Sequence, residues 1–330
     1  MKKFLLQFFY FSLIPLLFII LVEISISLFR NSIFSEKRLE KLFLNEIADY
    51  DWIKSLESDS IYVLAGSSTV KYSLSCSQLN ELNPDSNRYV NIASDARDPI
   101  ATYFILKNLK HHKISALFMS LDPWIYSQKY YKYRNNYFYL DFNIFQTIRF
   151  TFEHDQSAFL QRYKLFFAHF FGEDPQSSEK KSILPKDFGS DVLTQIPKNF
   201  KNDPHKLFQV ERYGWSNLQF EYLKKIIKFC ELNHIQFYNF VPPKRSDFNR
   251  LYKVDCAQIH QEYIQKLLKN SIHPKVFGTF DQLIHDGDSL NFVDALHLSE
   301  RGQKKYTEIF YQLTQSSNQP FQKQYSWFTH

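Results

Sequence analysis

Glycine is nearly absent, at seven of 330 residues, against an average usage of about 7 %. That scarcity excludes collagen-like and Gly/Ser-linker architectures, and it leaves no Gly-rich loop of the kind that cradles phosphates. Cysteine is scarce as well. Cys76, Cys230 and Cys256 are an odd set with no CxxC pair, so there is neither a disulfide framework nor a zinc-ribbon spacing, although two of the three could pair once. Histidine is present, but His111, His112, His154, His169 and His205 share no metal-ligand spacing. Charge of one sign is lacking too: the net +6 is dispersed, with Lys and Arg mostly single among aromatics. That pattern excludes a nucleic-acid footprint.

Abundant instead are Phe (34) and Tyr (21), within a hydrophobic fraction of 44 %. That fraction excludes a disordered chain, and the length allows one large or two small domains. The first 35 residues hold the longest apolar run. Phe4 to Val22 is nineteen residues without a charge (22 − 4 + 1), close to the roughly 20 that span a bilayer. A cleaved secretory signal would have a shorter core of about 7–15 residues and a small-residue cleavage site; neither is evident. We therefore expect an uncleaved anchor over 1–35 and a charged juxtamembrane stalk over 36–58. Lys2 and Lys3 precede the span, and Arg30, Lys37, Arg38 and Lys41 follow it. A local count of these charges argues for the globular part inside, yet large domains translocate regardless of it.

From residue 59 onward, short apolar runs end in small or polar residues. Ile61–Ala65 leads into Gly66-Ser67-Ser68, Arg88–Ile92 into Ala93-Ser94-Asp95, and Ala116–Met119 into Ser120-Leu121-Asp122-Pro123. Ile235–Val241 leads into Pro242-Pro243, and a weaker fifth run covers Lys275–Phe280. Continuous apolar runs suit strands buried on both faces of a parallel sheet. Helical periodicity lies between them, over 99–109, 218–232, 258–268 and 299–313. The alternation predicts an α/β fold, a flavodoxin-like three-layer sandwich with about five parallel strands. Its sites are expected at the carboxyl ends of the strands. An aromatic-rich insert over about 124–210 interrupts this 59–330 domain. It is expected to be a helical subdomain, a stacking surface for sugar rings, or a face lying near the membrane.

Two motifs carry chemistry. A serine at a strand-to-helix turn stands above the sheet, and a glycine beside it permits the tight backbone. Near the carboxyl end, Asp294-Ala295-Leu296-His297 places a carboxylate three residues before a histidine, close enough to hold its ring. The pair, in this order, resembles the SGNH hydrolase (GDSL esterase) superfamily over residues 60 to about 310. Ser68 stands at that family's nucleophile position, and Asp294 and His297 match its closing Asp-x-x-His block. The literal Gly287-Asp288-Ser289-Leu290 does not carry the resemblance, because no buried strand leads into it and it lies only eight residues before His297 (297 − 289).

The resemblance implies a Ser68–His297–Asp294 triad, with the N–H groups of Ser68 and Ala96 in the oxyanion hole, and neither cofactor nor metal. The family's second-block glycine is Ala96 here. Its third-block asparagine donor is Asp122, and an ionised carboxylate cannot donate and would repel an oxyanion. Protonation of Asp122, neutralisation by Arg97, or a different donor would each resolve this. The Gly-Ser-Ser variant, the anchor and Pro242-Pro243 look like the narrower membrane-anchored group that accompanies membrane-bound O-acyltransferases, as in alginate acetylation or teichoic-acid D-alanylation. That likeness implies a globular part outside a bacterial cytoplasmic membrane. It also implies a serine esterase or O-acyltransferase acting on a cell-surface polysaccharide, with a membrane-bound O-acyltransferase as partner. The alternative is an inactive SGNH-like domain that binds the glycan beside that acyltransferase.

Overall fold

The computed structural model describes residues 2–57, 60–84, 87–95, 97–109, 113–120, 122–126, 140–153, 156–171, 185–194, 215–245, 247–248, 256–269 and 289–315. In chain order the first helices are α1 (Lys2–Leu28), α2 (Arg30–Ile33), α3 (Glu36–Leu42) and α4 (Leu44–Ala48), followed by a 3₁₀ turn over Asp51–Ser55. Next come β1 (Ile61–Ala65), α5 (Ser68–Lys71), α6 (Cys76–Leu82), β2 (Arg88–Asn91), α7 (Pro99–Asn108) and β3 (Ile114–Ser120). The helices α8 (Ile144–Glu153) and α9 (Ala158–Phe171) follow. The chain then forms α10 (Asn217–Leu232), β4 (Gln236–Phe240), α11 (Cys256–Lys269) and α12 (Glu300–Gln315).

Two compact units result. The first joins residues 1–44 to 131–178; the second joins 45–130 to 179–330. The middle of the aromatic insert thus groups with the amino-terminal helix, and the latter part of the 36–58 stretch groups with the sheet. The reason is packing: Trp52 and Ile53 are buried, and Tyr50 receives Nη2 of Arg97 at 2.8 Å.

In the first unit, Phe9–Leu28 of α1 is long and apolar enough to cross a membrane. The rise of a helix, about 1.5 Å per residue, brings twenty residues to the roughly 30 Å of a hydrocarbon core. Pro15 lies inside α1, as membrane-spanning helices tolerate.

The second unit is an α/β fold around four parallel strands in the order β2-β1-β3-β4. Register pairs Val63 with Val90 and with Leu117, and Leu117 with Phe237. One face, carrying Leu64, Tyr89, Phe118 and Phe240, packs against Leu79 of α6 and Tyr306 and Phe310 of α12. The helices α7 and α10 pack together through Phe104 and Tyr222, whose rings lie 5.6 Å apart. The strand runs read from the sequence therefore fall in one sheet; the fifth, Lys275–Phe280, lies outside the described residues.

Helix starts follow local chemistry. Asp98 accepts from the N–H of Ala101 at 2.8 Å and Pro99 opens α7, where a missing N–H costs nothing. Ser75 and Ser216 cap α6 and α10 in the same way. Residues 185–194 run beside β2, where Phe188 O accepts from the N–H of Asn91 at 2.8 Å.

This order fixes where a site can form. From β1 the chain goes to β2 on one side and then to β3 on the other, so the crevice between the carboxyl ends of β1 and β3 is the topological switch point. Gly66-Ser67-Ser68 leaves β1 there, and Ser120 to Asp122 leaves β3 beside it.

Candidate active site

The turn after β1 is tight because Gly66 adopts φ +152°, which L side chains rarely take. A Cβ at Gly66 would also overlap Ser120 Oγ and Val70 Cγ2. Ser67 then caps α5, accepting from the N–H of Thr69 at 3.4 Å. Gly66, Ser67, Thr69 and Val70 are buried, while Ser68 is part-exposed. The fold thus presents one hydroxyl of the turn and hides the others.

The facing loop is closed on itself. Phe292 and Leu298 form an antiparallel bridge; the N–H of Val293 donates to His297 O at 2.9 Å and that of Ser299 to Asn291 O at 2.9 Å. Asp294 Oδ1 accepts from the N–H groups of Leu296 (2.7 Å) and His297 (2.8 Å). Gly302 lets α12 approach this loop, since a Cβ there would strike Asn291 O. From the other side, the N–H of Arg245 donates to Ala295 O at 3.1 Å.

The loop delivers a hydrogen-bonded relay. His297 Nδ1 lies 2.8 Å from Asp294 Oδ2, and His297 Nε2 lies 2.8 Å from Ser68 Oγ. Asp294 Oδ2 can only accept, so Nδ1 carries the ring proton and Nε2 is left to accept from Ser68. The ring of Tyr72 meets the His297 ring edge-on, with centroids 5.8 Å apart.

Burial by itself would raise the Asp294 pKa. The hydrogen bond and charge of His297 and the two backbone N–H groups outweigh it, so the group sits below its ordinary 3.8. A carboxyl with a lowered folded pKa stabilises the protein fully above its unfolded pKa, and that contribution is lost as pH falls through the folded value. We expect Asp294→Asn to flatten the acid limb of stability. Chemical denaturation of both proteins between pH 7 and pH 3 checks this, and equal slopes below the ordinary carboxylate value would contradict it.

Asp122 is wholly buried directly behind the turn that carries Ser68. Its Oδ2 accepts from Ser67 Oγ (3.1 Å), Ser120 Oγ (3.1 Å) and Thr69 Oγ1. Its Oδ1 lies 3.4 Å from Lys244 Nζ. The carboxylate is surrounded by donors, which is the only environment that suits an acceptor-only group without water. Arg97 does not serve it: the guanidinium pairs with Glu46 and Tyr50 and lies over the Tyr50 ring.

Lys244 is the residue of this arrangement that the sequence reading missed. The register Ser120↔Phe240 ends β4 beside β3, and Pro242-Pro243 then carries the lysine under Asp122. Its position immediately after a strand-end proline pair was the one available signal. Ala96, the expected second oxyanion donor, lies outside the described residues.

Cys76 and Cys230 are free and buried. Among the described residues no group of three or more His, Cys, Asp or Glu is placed to hold a metal ion.

No family model and no curated protein matches this sequence.

Proposed function

We propose that the chain is an SGNH-type serine esterase or O-acyltransferase working through an acyl-Ser68 intermediate. The observation that carries this reading is the unbroken relay Asp294–His297–Ser68, with both links at 2.8 Å. In the first step, His297 Nε2 takes the Ser68 proton as Oγ attacks the acyl carbonyl carbon. The ester C–O bond breaks, and His297 returns the proton to the departing oxygen. In the second step, water or a sugar hydroxyl gives its proton to His297 and attacks the acyl carbon; the acyl–Oγ bond breaks and His297 returns the proton to Ser68, giving hydrolysis or transfer. Asp294 holds the imidazole tautomer and stabilises the imidazolium. The N–H of Ser68, at the start of α5, is the first oxyanion donor in this scheme, and that of Ala96 the second.

Asp122 does not weigh against catalysis in this reading. Its charge is directed to Lys244 and three hydroxyls, so it acts by bracing Ser67 and Thr69 on either side of the nucleophile. The inactive-domain alternative drew support from Asp122 and from the aromatic insert; on this account only the insert still favours it.

The substrate class is an acylated or acyl-accepting cell-surface polysaccharide, and the partner a membrane-bound O-acyltransferase. These follow from the resemblance of the Gly-Ser-Ser block, the amino-terminal anchor and the Pro-Pro strand end. On the same grounds, α1 is a single-pass anchor in a bacterial cytoplasmic membrane, with the second unit outside. Incubation with p-nitrophenyl acetate and rapid acid quench tests the mechanism: one acetyl group is expected on the peptide containing Ser68. Nitrophenol release that leaves Ser68 unmodified would contradict it.

A further inference from the structure

The first unit places an unusual cluster beside the apolar helix. Glu23, the first charge after the apolar run, receives Arg162 through Nε (2.9 Å) and Nη2 (2.7 Å), and Tyr163 OH at 3.1 Å. Arg162 is 1 % exposed. Such a forked, fully engaged pair is what makes a carboxylate tolerable next to hydrocarbon. One step along, the rings of Phe18 and Phe167 stack at 6.2 Å.

These two contacts fix a direction. Phe18 precedes Glu23 by five residues, and Phe167 follows Arg162 by five, so α9 runs antiparallel to α1. Each separation is about 7.5 Å of helix rise. Phe18 belongs to the uncharged run, so Phe167 stands at the depth of that run. The end of α9 at Phe171 reaches about 6 Å deeper.

The other helix of the insert is held at the exit of α1. Arg30, just past Leu28, pairs with Asp141 at 2.9 Å, three residues before α8 begins. At its far end α8 leads into α9 only a turn before Arg162. The start of α8 is therefore held near the level where α1 leaves its apolar run, and α8 ends at Glu153, five residues before α9 begins. Along its length Thr147 is buried, while Phe145 (79 % exposed), Ile148 and Phe152 (85 % exposed) present an apolar stripe outward. The spacing i, i+3, i+7 puts them on one helical face.

We propose that α8 and α9 are a membrane-entering pair, with α8 lying in the bilayer interface and α9 inserted beside α1. The occupant of the Phe145–Ile148–Phe152 stripe is then lipid hydrocarbon. Continuity decides for lipid: the stripe belongs to the same compact unit as the spanning helix and lies where that helix crosses the surface. An amphipathic helix in that plane buries its apolar face about 5–10 Å into the headgroup and acyl boundary. This inference rests on α1 being a membrane span and is independent of the chemistry at Ser68.

The test uses the unmodified full chain in vesicles of phosphatidylethanolamine and phosphatidylglycerol doped with a phospholipid carrying an acyl-chain diazirine. After irradiation, peptides covering 144–153 and 158–171 should be labelled as strongly as the 9–28 peptide. They should exceed the 217–232 peptide at least about tenfold, because only groups at that depth meet acyl chains. Phe145→Ser with Phe152→Ser, both at exposed positions, should abolish most labelling of 144–153 and leave that of 9–28 intact. Labelling of 9–28 without 144–153 and 158–171 would overturn the proposal and assign the stripe to a protein partner. Absence of label in 9–28 as well would overturn the span on which it rests.

Discussion

Ser68→Ala is expected to lower turnover of p-nitrophenyl acetate by up to about 10⁶-fold, the scale of loss when a triad nucleophile is removed. The loss falls on turnover because Oγ makes the bond that defines the acyl intermediate. Little should change in stability: the side chain is part-exposed and its hydrogen bond is to His297. Ser67→Ala is the informative neighbour. Ser67 Oγ caps α5 and donates to Asp122, so its loss should cost about 0.5–2 kcal/mol of stability while leaving acyl transfer detectable. Steady-state kinetics and denaturant unfolding on both variants separate the two roles. A Ser68→Ala protein with undiminished turnover would remove Ser68 from the chemistry.

The second large effect is expected at Lys244. Lys244→Met leaves the Asp122 carboxylate buried without its ammonium partner, and breaking such a pair typically costs about 3–5 kcal/mol. Asp122→Asn combined with Lys244→Met should recover most of that loss, because the carboxamide keeps an acceptor for the three hydroxyls without a charge to neutralise. Neighbouring groups couple, so the double variant should be more stable than the sum of the singles predicts. Simple additivity would show that the two do not work as a pair. Because Ser67 and Thr69 flank Ser68, the proposed nucleophile, the single variant should also lose turnover in its folded fraction.

Much of the fold was legible for a local reason. A parallel strand buried on both faces writes a continuous apolar run, and Ile61–Ala65 and Ala116–Met119 are such runs. The relay was legible because each half is local. The glycine and the serines sit within one turn, and Asp294 lies three residues before His297. What could not be read were contacts made by the fold between distant segments. Lys244 meets Asp122 across 122 residues of chain, and Arg162 meets Glu23 across 139. Arg97 lies much nearer Asp122 in sequence, yet the fold turns it toward Glu46 and Tyr50. The insert shows the same limit. Its aromatics were visible, but an exposed stripe on α8 becomes meaningful only once α9 is seen lying along α1.

The most direct measurement of the central claim is active-site labelling of the folded protein with a fluorophosphonate, followed by peptide mass mapping. The account predicts stoichiometric modification of Ser68 and none of Ser67, abolished in His297→Ala because the hydroxyl then has no base. Folded protein that stays unlabelled at Ser68, or labels equally well without His297, would contradict the account.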